Sequence, residues 1–362
     1  MEELAELRRV IRKFSFDPKK GYSRLLLQLF GYLGNGKSSF INTCKYVWDD
    51  GEFINHTNAK IKEDAGDTME RRSYPLTKTI TLVDNRGCNT MNSYETGEIY
   101  AQLANLLPLD YRVEWTKGYQ LVESIKEAEN SVRISDFIFP IFVYSAKKSI
   151  APGEIDLYRD LLSKARDVTG IFPMVVLTHK TQGSVAEQER AFRNLGVERI
   201  FAFENYTPND HIKTRGRHED VLRFLQEVIK DVQFRLSEPR NPEREMLHHK
   251  SIVYDYIRKR EEEQGVRRQM QEERERQDPR QNRVRPENVG QRRKHSVDVK
   301  MEQEIRSDDE RRNLEDQLRN IQGLLGKGKP ENVYENETWD NQTSGKSKKG
   351  KKPKEGKDCS LQ

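Results

Sequence analysis

Between residues 31 and 38 the chain reads Gly-Tyr-Leu-Gly-Asn-Gly-Lys-Ser, a G-x-x-x-x-G-K-[ST] pattern whose residue types suit the gripping of a polyphosphate. Gly31 allows a tight turn, and Gly34 and Gly36 let the backbone approach a ligand closely. With Asn35 between them and Ser39 just beyond, successive N–H groups and a helix N-terminus would surround phosphate oxygens. Lys37 would reach the terminal phosphates, and Ser38 would set its hydroxyl on Mg²⁺. The rival reading is a glycine-rich strand-to-helix turn with no ligand. The pattern selects a nucleoside triphosphate and is silent about the base.

A second short pattern, Asp84-Asn-Arg-Gly87, follows the apolar stretch TITLV. A carboxylate there would hold Mg²⁺ through water, and the Gly87 amide would report the γ-phosphate. Alone, Asp and Gly are ordinary turn formers that need no ligand. Thr68, ahead of MERRSYPL, is the expected threonine closing over the metal, with Thr57 as its rival.

Groups of this kind need a sheet to hold them. Short apolar runs, RLLLQLF, TITLV, FIFPIFVY, FPMVVL and RIFAF, alternate with helix-compatible stretches between Tyr22 and Phe234, which predicts buried strands of a mostly parallel sheet. RLLLQLF leads into the glycine-rich turn and SSFINTCKYV out of it, the strand and helix that the motif requires. Leu4, Leu7, Ile11 and Phe14 recur at helical spacing before Asp17-Pro18, and DVLRFLQEVIKDVQFRL predicts a closing amphipathic helix.

From about Tyr22 to Phe234 the chain resembles the interferon-induced protein 44 group of GTP-binding proteins, within the dynamin-like and Ras-like G domains. The likeness is carried by GYLGNGKSSFIN, RRSYPL, TLVDNRG, LPLDYR, VVLTHKT and FENYTP. It implies a cytoplasmic G domain. It also implies base-reading positions at Thr178, His179 and Lys180 and a purine contact from the Asn205–Tyr206 pair. In that group the base-reading loop ends in an aspartate, whereas here Thr181 stands in its place. A single hydroxyl cannot reproduce the bidentate acceptor that guanine's edge requires, and a polar edge left half-paired costs roughly 1–3 kcal/mol. Slipping the register by one brings Lys180 and Gln182, an equally imperfect pair. Guanine is expected, and adenine is left open. Cys88 occupies the position where Ras-type enzymes carry a water-orienting glutamine, so slow turnover is expected.

The 362 residues are 34% hydrophobic and 34% charged; even with the 22 glycines added, the apolar share falls below the roughly 45–50% of globular chains. A normal core diluted by a solvated segment explains this. Of the 28 residues from Arg258 to Arg285, 17 are charged, and only Leu314, Leu318, Ile321 and Leu325 form a later helical stripe. Residues 346–358 carry seven lysines against two acids, so the whole formal charge of +5 sits there. Cys359-Ser-Leu-Gln362 then has the form of a prenylation signal. One lipid chain beside a basic patch makes a two-signal anchor for an anionic bilayer. No aromatic is interleaved with those lysines, which argues against sequence-specific nucleic-acid binding. Three cysteines offer neither a disulfide framework nor metal-ligand spacing, and no run approaches the roughly 20 apolar residues of a membrane span.

The expected organisation is an N-terminal helix (1–19), an α/β domain of P-loop NTPase, G-domain-like type (20–236), a charged helical or disordered tether (237–330) and a polybasic tail (331–362). The expected activity is a GTP-dependent switch or scaffold on the cytosolic face of a membrane, with hydrolysis assisted, if at all, by self-association or a partner.

Overall fold

The computed structural model describes residues 2–57, 70–90, 93–113, 116, 118–277 and 290–326. Thr68, the polybasic segment and Cys359 lie outside them. In chain order the strands are β1 (Arg24–Phe30), β2 (Glu70–Pro75), β3 (Ile80–Asp84), β4 (Tyr111–Arg112), β5 (Asp136–Ser145), β6 (Met174–Thr178) and β7 (Ile200–Ala202). The helices are α1 (Glu2–Lys13), α2 (Lys37–Asp49), α3 (Ser93–Leu103), α4 (Tyr119–Ala128), α5 (Ile155–Thr169), α6 (Val185–Asn194), α7 (Arg215–Arg235), α8 (Pro242–Gln277) and α9 (Gly290–Gly326). The architecture is α/β: one seven-stranded sheet in the order β4-β2-β3-β1-β5-β6-β7, flanked by helices. β3, β1, β5, β6 and β7 run parallel, and β2 and β4 complete one edge as antiparallel neighbours.

The central strands are apolar throughout because both faces are covered. Leu25, Leu27 and Leu29 of β1 join Phe137, Phe139, Ile141 and Val143 of β5 and Met174 and Val176 of β6 in a core beneath α1, α2 and α7. The alternate residues Phe30, Phe142, Tyr144, Val175 and Leu177 face α3, α4, α5 and α6. This is the period-two alternation of a pleated strand, doubled. Pro140, which has no N–H for a ladder, sits one residue before β5 begins to pair with β6 at Ile141.

The chain beyond α7 does not remain apart from this domain as a tether. The first half of α8 buries Val253, Tyr254 and Ile257, and α9 returns Leu314, Leu318 and Ile321 to the same core beside α4. Lys250 pairs with Glu129 at 3.0 Å, and Lys126 donates to Asn313 at 3.1 Å, clasping both helices to the end of α4. Past Ile257, α8 is laced by Arg258–Glu262, Lys259–Asp255 and Arg260–Glu263 pairs at helical spacing. Its solvated continuation explains the charge that dilutes the composition. Among the described residues no helix is long and apolar enough to cross a membrane.

A buried polar lattice ties the antiparallel edge to the centre of the sheet. Arg71 is fully buried on β2. It donates to Asn85 Oδ1 at 3.0 Å, to Asn105 Oδ1 and Gln102 O at 2.9 Å, and to the carbonyl of Leu107. Asn85 in turn donates to Gln28 of β1 at 3.0 Å, and Asn105 reaches Asp136, which Arg24 grips in two bonds of 2.8 and 2.7 Å. Burial pushes the Arg71 guanidinium down to about 9, with the Asp136 charge opposing. It still stays charged at neutral pH, satisfied largely by neutral acceptors.

Docking of α9 is testable. Leu314 is 1% exposed, and Leu314→Ala deletes a buried side chain that the neighbouring helices cannot fully replace. It is expected to lower the unfolding free energy by about 2–4 kcal/mol in urea titrations. A change below about 0.5 kcal/mol would mean that α9 does not pack on the domain in solution.

Candidate nucleotide site

All five parallel strands deliver residues at their carboxyl ends to one place. β1 runs into Gly31, β3 ends at Asp84, β5 at Ser145 and β6 at Thr178, and β7 leads to Asn205. β1 lies between β3 on one side and β5 on the other, so the turn after it occupies the point where the strand order reverses, where open α/β sheets form their ligand crevice.

The turn itself is neither extended nor free. Gly31, Gly34 and Gly36 have φ of 137°, 72° and 85°, and Lys37 begins α2 directly. Leu33 N donates to Cys88 O at 2.9 Å and Cys88 N to Gly31 O at 3.3 Å, stitching the turn to the segment after β3. On the other side Asn35 donates to Val143 O at 3.2 Å, and the Thr178 hydroxyl donates to Asn35 O at 2.8 Å. Gly36 caps α2 in a left-handed conformation, and having no side chain it leaves the first-turn amides of Lys37, Ser38 and Ser39 without a cap. Those N–H groups and the helix dipole give the turn a positive end suited to an anion.

Inside the turn the Lys37 ammonium is 3.2 Å from the carbonyl oxygens of both Gly31 and Tyr32. Gly87 is close: a Cβ there would stand 2.6 Å from Lys37 Nζ and 2.8 Å from Leu33 Cδ2, so a side chain at this position would push the lysine and leucine tips aside. Ser38 Oγ donates to Asp84 Oδ2 at 2.6 Å. Asp84 is 1% exposed, and its second oxygen has no partner among the described residues. Burial pushes the Lys37 ammonium down and the Asp84 carboxyl up, each partly offset by the other's charge. An orphaned buried carboxylate oxygen beside a serine hydroxyl is a donor set for a hard cation. Mg²⁺ characteristically takes one or two protein oxygens and completes its shell with water and phosphate. Among the described residues no cluster of three or more metal-ligating side chains is found.

The other expected residues divide. Thr57 is beside Ser38: its hydroxyl donates to Ser38 O at 3.4 Å and accepts from Asn42 at 2.9 Å. Its rival Thr68 lies outside the described residues. His179 has φ of 57° and its Nδ1 lies 3.0 Å from the hydroxyls of both Ser145 and Thr178. Asn205 Nδ2 approaches Gly36 O at 3.5 Å, and Tyr206 N donates to Thr43 on α2. Ser39 supplies the carbonyl that accepts from the Thr43 hydroxyl at 2.8 Å. Lys180, by contrast, is drawn to Asp220 on α7 at 2.9 Å, an exposed ion pair that removes its ammonium from the turn. Cys88 is fully buried, and burial pushes its thiol up to about 12, so it is a packed residue rather than a nucleophile.

Sequence reasoning missed Asn42, Ser145 and Glu204, whose parts depend on partners far along the chain. The last accepts from both the amide and the hydroxyl of Thr181, at 2.7 and 2.6 Å.

No family model matches this chain, and a search of curated proteins finds no significant match.

Gly34 and Gly36 separate backbone strain from crowding. An alanine Cβ at residue 34 meets nothing within 4 Å, whereas at residue 36 it lies 3.2 Å from two atoms of Thr178. Gly34→Ala is expected to lose about 1–2 kcal/mol of stability, the strain of a left-handed alanine. Gly36→Ala should lose more, with a lower urea midpoint than Gly34→Ala. Equal midpoints would show that Thr178 yields without cost.

Proposed function

We propose that the chain is a P-loop, G-domain-like protein that binds a nucleoside triphosphate with Mg²⁺ at the turn Gly31–Ser38. The observation that carries this reading is the joint burial of Lys37 and Asp84 around Ser38, one oxygen of Asp84 being unsatisfied. In this reading the first-turn amides and Lys37 hold the β- and γ-phosphates, Ser38 and Asp84 hold the metal, and Gly87 answers to the terminal phosphate. Lys37 would exchange two carbonyl contacts for phosphate oxygens, recovering the charge stabilisation that burial denies it. Bound Mg²⁺ neutralises phosphate charge. Thr178 and Asn205 support the turn from the base side, and His179 and Ser145 line its approach. Likeness to the interferon-induced protein 44 group belongs to the same proposal and rests on the sequence motifs alone.

A second reading, a nucleotide-responsive scaffold without turnover, is favoured by Cys88. A buried side chain at that position can neither orient water nor stabilise a developing charge. Both readings share the binding step and differ in phosphate release. The membrane part of the proposal rests on the lysines of 346–358 and on Cys359.

Two measurements test these proposals. With fluorescent mant-GTP and Mg²⁺, Lys37→Ala is expected to weaken binding at least about 100-fold, the loss of a charged hydrogen-bonding partner of roughly 3 kcal/mol. Equal affinity before and after the change removes the site. For the tail, full-length protein prenylated in vitro should co-sediment with vesicles containing phosphatidylserine, and Cys359→Ser should stay in the supernatant. Co-sedimentation of both alike would dismiss the lipid anchor.

A further inference from the structure

The loop after β6 was expected to read the base, yet Thr181 stands where a carboxylate belongs. The structure brings a carboxylate to that loop from elsewhere. Glu204, in the segment that follows β7, accepts from Thr181 N at 2.7 Å and from Thr181 Oγ1 at 2.6 Å. Both bonds fall on the same oxygen, Oε2, and Oε1 carries no hydrogen bond among the described residues. The residue is half-buried.

The two loops involved are the ones already pinned to the glycine-rich turn. Three residues before Thr181, Thr178 donates to Asn35 O; one residue after Glu204, Asn205 approaches Gly36 O. Thr181 and Glu204 therefore leave the same anchored place and meet again at 2.6 Å, on the side of the turn away from Gly87 and Asp84. Lys180, the cation on the same loop, is taken by Asp220 and does not neutralise this carboxylate. Glutamate is one methylene longer than aspartate and comes from the segment after β7 rather than from the loop itself, which explains why motif spacing does not reveal it.

We propose that Glu204, fastened by Thr181, is the base-specificity residue of this site and selects guanine. This rests on the nucleotide reading above and deepens it by naming the base. The chemistry is a matter of donors and acceptors. Guanine presents an N1–H and a 2-amino group side by side, two donors that one carboxylate accepts together. Adenine has an acceptor at N1 and no amino group at C2, so it would face a carboxylate with like polarity. Thr181 does not touch the base in this scheme; it is a positioning residue that spends both donors on Oε2 and so orients the carboxylate.

Changing acceptor to donor at one atom makes the test specific. Xanthine keeps N1–H but carries an oxygen at C2, so an amide, with one acceptor and one donor, matches it. Full-length wild-type, Glu204→Gln, Thr181→Val and Lys37→Ala proteins would be titrated with mant-labelled GTP, ATP and XTP in the presence of Mg²⁺, with circular dichroism as the check on folding. Wild type is expected to favour GTP over ATP by at least about 10-fold. Glu204→Gln should lose about 10- to 100-fold toward GTP, gain affinity for XTP, and keep its affinity for ATP. Thr181→Val should weaken GTP alone, by less, and give no gain for XTP. A variant that had merely unfolded could not gain XTP.

Four outcomes would overturn the proposal. If Glu204→Gln leaves the GTP, ATP and XTP ratios at wild-type values while Lys37→Ala abolishes all binding, Glu204 does not read the base and the phosphate site stands. If Glu204→Gln loses all three nucleotides equally while folded, its role is structural. Preference of the wild type for ATP overturns the assignment of guanine. If wild type binds no triphosphate at all, the nucleotide reading and this inference fall together.

Discussion

An ammonium and a carboxylate are enclosed together at the carboxyl ends of β1 and β3, and that enclosure constrains everything around it. Charges taken from water must be repaid by geometry, and here the repayment is incomplete. Lys37 rests on two carbonyl oxygens and Asp84 on one serine hydroxyl, leaving a carboxylate oxygen unsatisfied. The surrounding structure holds this arrangement rather than relaxing it. Cys88 stitches the turn on one side, and Asn35, Val143 and Thr178 stitch it on the other, so the start of α2 is held from both sides.

The same constraint gives the polar lattice around Arg71 its place. Asn85 immediately follows Asp84, and through it the segment bearing Gly87 is joined to Gln28 on β1, Arg71 on β2 and the end of α3. Arg86 N adds a bond to Gln102 at 3.2 Å. The segment that approaches Lys37 is thus tied to the edge of the sheet by neutral amides around one buried cation, a network whose members support one another only when all are present.

Much of this was legible in the sequence, and the part that was not has a common cause. The runs RLLLQLF, TITLV, FIFPIFVY, FPMVVL and RIFAF announce the strands because burial on both faces is a local demand on composition. Gly31 to Ser38 announces a turn entering a helix because φ above zero and close packing are local demands on glycine. Arg71 gives no signal of its own within RRSYPL, since its acceptors lie 14 to 36 residues away. Glu204 was invisible for the same reason, its partner being 23 residues earlier. The charged stretch after Pro239 was read as a tether because its few apolar residues are spaced too widely to form a core alone. They complete one only where α3, α4 and α5 already present theirs.

The length of α8 carries a mechanical consequence. Ile257 is its last wholly buried side chain among the described residues, Tyr94 of α3 still donates to Gln264 at 2.8 Å, and thirteen more residues follow to Gln277, about 20 Å at 1.5 Å per residue. A stiff rod seated at one end amplifies rotation: a tilt of about 10° at its seat displaces its tip by roughly 3 Å. The seat is shared with α3, the helix that the lattice couples to the Gly87 segment. A small rotation at that seat is therefore enlarged along the helix.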